Sequence, residues 1–303
     1  MVEIILNMSV LIALGILWHV IEPGGIDSET IRKALTTLVL YLMLPALVLK
    51  VLWLADLGIK SFFISGVAIT SILSGLLASY LFCRICSASK QVTGAVMLAS
   101  AFPNVTYMGL PILKELFGDW STSIAIQFDL FACTPMVFTV GILIAQKYGE
   151  HDNKESIFKG LRNLPPIWAA LLAVLLNLTE VPMHESVSWV LDQLAHMVIP
   201  MMLFAVGLSL DWKLNLGKRM KNITVVVVSQ LMILPIVALL MANLFGFSGD
   251  IKVALVLEAA MPTMVIGLIL CDRYGLDTKL YATSVTMTTV LSLFTLNVWY
   301  LIL

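Results

Sequence analysis

Two acids, an asparagine and two prolines stand where an apolar chain has little reason to put them. Glu258 precedes Pro262 by four residues, Asn104 follows Pro103 directly, Thr263 follows Pro262, and Asp129 has Gln127 and Thr134 nearby, all within stretches that are otherwise almost continuously apolar. The chemistry open to such groups is the holding of ions. Proline has no N–H to give, and its ring clashes with the carbonyl four residues back. Pro103 therefore frees the carbonyl of Ala99, and Pro262 that of Glu258. Carbonyls that end one helix suit cations, and the N–H groups that start the next suit anions. Glu258, Asp129, Asn104 and Ala99 are candidate ligands of a coupling cation, Na+ or H+. Pro103, Asn104, Val105, Thr106, Pro262, Thr263 and Met264 are candidate contacts of an anionic ligand. A carboxylate at membrane depth costs about 2.5–3.5 kcal/mol on insertion scales, so an acid kept there has a partner or a use. Plainer readings stand beside these: a simple kink, a protonated Glu258 hydrogen-bonded inside the bundle, and an Asp129 that caps a neighbouring helix.

The elements that must position these residues are membrane spans. Sixty per cent of the 303 residues are apolar and 12% charged, against about a quarter charged in an ordinary soluble domain. The mean hydropathy is +0.98. Runs long enough to cross ~30 Å of hydrocarbon recur along the whole chain. They divide it into ten predicted helices at about 3–21, 34–53, 61–82, 92–113, 121–146, 164–180, 190–210, 222–245, 251–271 and 279–303. The first run lacks a basic leader and a small-residue cleavage pattern, so it reads as a span rather than a signal peptide. With loops assigned to alternate sides, 14 of the 18 Lys and Arg residues fall on one side, and only Lys50, Lys60, Lys114 and Lys252 on the other. The positive-inside rule makes the first side cytoplasmic and puts both termini outside. Trp18, Trp53, Trp120, Trp168, Trp189, Trp212 and Trp299 all lie near span ends, where amphipathic rings prefer to sit.

Displacing the chain by 159 residues against itself, without a gap, pairs Pro23 with Pro182, "MLPA" with "MLFA", "WLADLGIK" with "WKLNLGKR", Ala101 with Ala260 and Pro103 with Pro262. Leucine and alanine coincidences are cheap, but tryptophan, glycine and proline coincidences in one register are not. The pattern predicts two five-helix repeats, 1–146 and 164–303, joined by a cytoplasmic connection at 147–163. An odd number of spans inverts the second copy. Inverted repeats with interrupted helices are the architecture of secondary transporters, whose sites lie near the midplane. Non-helical backbone at that depth is tolerated only inside protein or along a polar cavity.

Enzymatic motifs are lacking: the chain has no H-E-x-x-H, G-x-S-x-G or P-loop. Cys83 and Cys86 form a lone C-x-x-C with no second pair or histidine partner, which reads as two interfacial thiols rather than a metal or redox site. The dispersed basic residues make no nucleic-acid surface. Lys50 is expected to snorkel to the interface, His19 and His196 to be solvated or hydrogen-bonded, and Gln230 to bond across helices. No arginine lies deep in a span, which favours a small or partly apolar monocarboxylate as the anion. Two functional readings follow, a secondary transporter and a non-transporting membrane sensor that uses the same pocket. A channel fits less well, because the broken spans carry no repeated polar lining.

The stretches "FPNVTYMGLPIL" (102–113) and "EAAMPTMVIGLILCDRYGLD" (258–277) resemble the corresponding segments of the auxin efflux carrier family. The more distant bile acid:sodium symporters share its architecture. The resemblance spans essentially the whole chain. It implies two crossing broken helices, a transport unit of spans 3–5 and 8–10, and a scaffold of spans 1, 2, 6 and 7 that dimerises. It also implies elevator-type movement of an organic carboxylate, and a sodium-ligand role for the glutamate matching Glu258. Two departures stand out. Asn104-Val105-Thr106 replaces the family's N-T-G, and Ile266 stands where many members have asparagine. The expected setting is a lipid bilayer, a bacterial inner membrane, with no cofactor beyond the coupling ion.

Overall fold

The computed structural model describes residues 2–55, 57–150, 164–210 and 219–303. The connection at 147–163 lies mostly outside the described residues, as does nearly all of the motif copy at 212–219. The described chain is helical throughout, with no strand among the described residues. Its helices are α1 Val2–Ile21, α2 Ser28–Trp53, α3 Ile59–Ile85, α4 Lys90–Ala99, α5 Leu110–Phe117, α6 Asp119–Tyr148, α7 Pro165–Leu178, α8 Glu185–Ser209, α9 Met220–Leu244, α10 Gly249–Ala259, α11 Gly267–Tyr274 and α12 Thr278–Ile302. Six of these, α2, α3, α6, α8, α9 and α12, are long and apolar enough to cross a membrane by length and composition. The chain is a multi-pass membrane protein.

Helix ends follow local chemistry. α2 starts at Ser28 rather than at the expected 34, because the Asp27 carboxylate accepts from the Thr30 N–H at 2.9 Å and from its hydroxyl at 2.5 Å. That is an N-cap, and the Thr30 hydroxyl and N–H hold the Asp27 carboxyl below its ordinary range. Ser89 caps α4 and Asp277 caps α12 in the same way.

Wide, π-type turns occur at Val39–Met43, Val105–Gly109, Asp129–Cys133, Val137–Gly141 and Ser229–Ile233. Four of the five end two residues before a proline: Pro45, Pro111, Pro135 or Pro235. A proline cannot bond the carbonyl four residues back and collides with it, and an extra residue in the turn moves that carbonyl aside. The carbonyl that Pro235 leaves free, Leu231 O, receives the Trp299 indole N–H at 2.9 Å. One backbone defect thus becomes a tie between α9 and α12.

The helices pack in two groups. α1, α2, α7 and α8 lie against one another. α1 meets α8 backbone to backbone, where a Cβ on Gly15 would lie 2.2 Å from Phe204 O and one on Gly207 2.1 Å from Ile12 O. Small residues permit such approach where no water drives helices together. α2 is tied to α7 by Asn177 Nδ2, which donates to the carbonyls of Trp53 and Ala55 at 2.9 and 2.8 Å. The second group holds α3 to α6 and α9 to α12, and it surrounds the two non-helical stretches at 100–104 and 260–266.

Candidate functional site

α4 stops at Ala99 and α10 at Ala259, and the chains that continue from them meet. Pro103 and Thr263 form an isolated antiparallel bridge. Asn104 N donates to Pro262 O at 2.7 Å, and Met264 N to Phe102 O at 2.9 Å. Each interrupted stretch thus satisfies the other's backbone, which a buried non-helical segment requires. Side chains complete the accounting. The Thr263 hydroxyl donates to Ala99 O at 2.7 Å, so the carbonyl that Pro103 frees is already engaged. Met261 N reaches Glu258 O, the carbonyl that Pro262 frees, at 3.3 Å. Gln230 Nε2 donates to Met261 O at 2.9 Å, and Tyr281 OH to Met264 O at 2.6 Å. Thr263 N donates to the Thr288 hydroxyl at 3.1 Å.

The two intramembrane acids sit differently against this crossing. Asp129 opens the wide turn of α6. Its carboxylate accepts from the Thr106 hydroxyl, at the start of the α5 arm, and from the Thr134 hydroxyl at 2.8 Å. Glu258 lies in the last turn of α10, is 0% exposed, and has no hydrogen-bond partner for either carboxylate oxygen. Its head group rests on Gly109, where a Cβ would stand 2.0 Å from Oε2. Burying a bare ion costs several kcal/mol even after relaxation. Glu258 therefore calls for a proton or a cation upon it, whereas the Asp129 carboxyl has two hydroxyl partners.

A cavity of about 40 Å³ lies beside the crossing, lined by Asn104, Thr106, Tyr107, Asp129, Thr134 and Met264, with Leu40 and Leu44 of α2 and the start of α7 opposite. One water occupies roughly 10–15 Å³ on this measure, so the space suits a few waters or a cation and not an organic anion. Of the residues singled out by sequence, Asn104, Thr106, Asp129 and Met264 line it. Pro103, Val105, Pro262 and Thr263 are buried in the crossing itself, and Ala99 and Glu258 lie behind it in the preceding helix ends. Asn104 is 3% exposed, and its Nδ2 has no partner in the protein.

Several site residues carry weak signals in the sequence. Gly109, Tyr281 and Thr288 look like ordinary bundle residues until packing brings them to the crossing. Gly109 is the most legible, since a glycine in an apolar helical run invites the question of what approaches it. Gln230 bonds across helices, and His196 Nδ1 meets Asp192 O at 2.6 Å. Lys50 pairs with Asp192 of α8 rather than simply reaching for the interface. Cys83 is buried, Cys86 is exposed, and both are free thiols.

A family model described as membrane transport protein matches residues 1–300. An uncharacterized transporter of Methanothermobacter thermautotrophicus is 30% identical over 99% of this chain and 98% of its own length. A second uncharacterized transporter, from Methanocaldococcus jannaschii, is 26% identical over 98% of this chain and 97% of its own.

Proposed function

The chain belongs to the membrane transport protein family, that of the auxin efflux carriers, and from this premise we propose that it is a secondary transporter of a small organic carboxylate coupled to Na+ or H+. The observation that carries the reading is the crossing itself. Two interrupted helices pair at Pro103 and Thr263, a cavity opens beside them, and two buried acids flank them. Interrupted helices meeting in this way are the usual builders of transporter sites.

In this reading Asn104 and Thr106, with the first N–H groups of the α5 arm, face the substrate carboxylate, and Glu258 carries the coupling ion. A second role falls to Asp129, whose hydroxyl contacts link α6 to the α5 arm. The ten-span inverted repeat is supported by helix bounds that keep the register of the two halves: 28–53 with 185–209, 59–85 with 220–244, 90–99 with 249–259, and 119–148 with 278–302. The two packing groups suit an elevator, in which the group holding the crossing moves against α1, α2, α7 and α8. On this reading a conformation closed at the crossing accounts for a cavity there of only about 40 Å³, too small for an organic anion. The family and both relatives are named as transporters, which weighs against a sensor. Both termini outside the cell membrane, and a homodimer through the first packing group, complete the proposal.

Proteoliposomes under imposed sodium, proton or potential gradients test it. A labelled small monocarboxylate should accumulate under one ion gradient, and accumulation should collapse when that gradient is dissipated. Retention no greater than in empty vesicles, across a panel of carboxylates and all three gradients, would end the transport reading.

A further inference from the structure

A second cavity is larger than the one at the crossing. It is a cleft of about 510 Å³ at the end of the bundle where α2 ends and α3 and α6 begin, the end that the charge count assigns to the outside. Small-molecule sites commonly measure about 300–1,000 Å³. Its walls come from both packing groups: Lys50, Asp192 and His196 from one, and Lys60, Lys114 and the first two turns of α6 from the other. Three of the four lysines on that side of the chain are gathered here. Lys50 pairs with Asp192, and Lys114 Nζ lies 3.1 Å from Asp119. Lys60 makes no ion pair among the described residues. Among the described residues of the lining, three lysines stand against two aspartates, and a cleft lined by an excess of one sign concentrates counter-ions.

A second feature is independent of charge. Gln127 lines the cleft, is only 4% exposed, and spends its Nε2 on the Ser123 hydroxyl at 2.8 Å, while Oε1 has no partner in the protein. With the amide turned over, Oε1 accepts from Ser123 and Nε2 is left over instead. In either orientation one hydrogen-bonding valence is unspent at a nearly buried position. Leu47, Val51, Ile124 and Phe247 add apolar wall to the same cleft.

We propose that this cleft is a second anion site, separate from the crossing, where an amphipathic monocarboxylate docks with its carboxylate at Lys60 and Lys114, its apolar body against α2 and α6, and Gln127 at its inner end. The ligand class rests on the transport reading above, but the docking does not depend on transport. Because the walls belong to both packing groups, an occupied cleft would also bridge them.

The test uses 4-fluorobenzoate as probe and fluorine NMR on the full chain in lipid nanodiscs. The wild type should bind it saturably, more weakly as salt rises. Lys60→Met combined with Lys114→Met should weaken binding about tenfold, and Gln127→Leu should weaken it less. Both lysines are at least partly exposed, so their loss leaves the fold intact, and Lys→Gln at the same positions repeats the test with a polar side chain. No saturable binding, salt-independent binding, or affinity that ignores the lysines would overturn the proposal. Uptake separates the two readings. Lysine-dependent binding without uptake removes transport and keeps the docking site, while uptake with lysine-independent binding does the reverse.

Discussion

The two interrupted helices share one plan and differ in what surrounds them. At 260–266 nearly every freed polar group is answered by a neighbouring helix: Gln230 serves Met261 O, Tyr281 serves Met264 O, and Thr288 receives the Thr263 N–H. At 100–104 and the turn that follows, Asn104 keeps an unspent Nδ2, and Thr106 is spent on an acid, Asp129, at the edge of a cavity. Residues 159 apart show how this came about. Asp129 corresponds to Thr288, Asn104 to Thr263, Ala99 to Glu258 and Ser71 to Gln230. At two of these positions, Thr288 and Thr263, the second half has hydroxyls that tie the backbone down where the first half has an acid and an amide, Asp129 and Asn104. The first half keeps polar groups available to a ligand. An element that must bind and release cannot be fully satisfied by its own protein, whereas the element that supports it should be.

That contrast can be broken at several points. Asp129→Asn makes the first half resemble the second. It removes the acid that two hydroxyls bond, and uptake should fall on the order of 100-fold with the fold retained by circular dichroism; undiminished uptake would mean that Asp129 only packs. Gly109→Ala puts a methyl where the Glu258 head group rests. It should lower the thermal midpoint in detergent by an amount matching about 1–3 kcal/mol of overpacking, and it should shift the ion concentration that gives half-maximal uptake. Gln230→Leu strips one tie from the second half and leaves Met261 O buried without that donor, for a loss of about 1–2 kcal/mol. The smallest effect belongs to its counterpart. The Ser71 hydroxyl bonds only Val67 O of its own helix, at 2.7 Å, so Ser71→Ala should change stability by no more than about 0.5 kcal/mol. Equal losses at Gln230 and Ser71 would erase the asymmetry.

Much of the frame is written in the chain because its signals are local. Apolar run length marks the long helices, and a proline beside a polar residue deep in a span marks a place where backbone groups need partners. What could not be read is which partners they find. Thr263 caps Ala99 from 164 positions away in sequence, and Trp299 answers Leu231 from 68. Both choices depend on how helices cross, and periodicity is blind to that. The wide turns before Pro45, Pro111, Pro135 and Pro235 were equally hidden, because a proline inside a helical run marks a defect without saying whether the helix stops, kinks or widens. The start of α2 at Ser28 was hidden for a different reason: the run there is polar, and only the Asp27 cap extends the helix through it.

The most direct measurement concerns Glu258, which is fully buried with neither carboxylate oxygen bonded. Glu258→Gln keeps its size and removes its ability to carry a proton or balance a cation. In proteoliposomes, this variant should lose accumulation driven by the ion gradient that drives the wild type. Accumulation by Glu258→Gln with the same ion dependence as the wild type would contradict the coupling role given to Glu258.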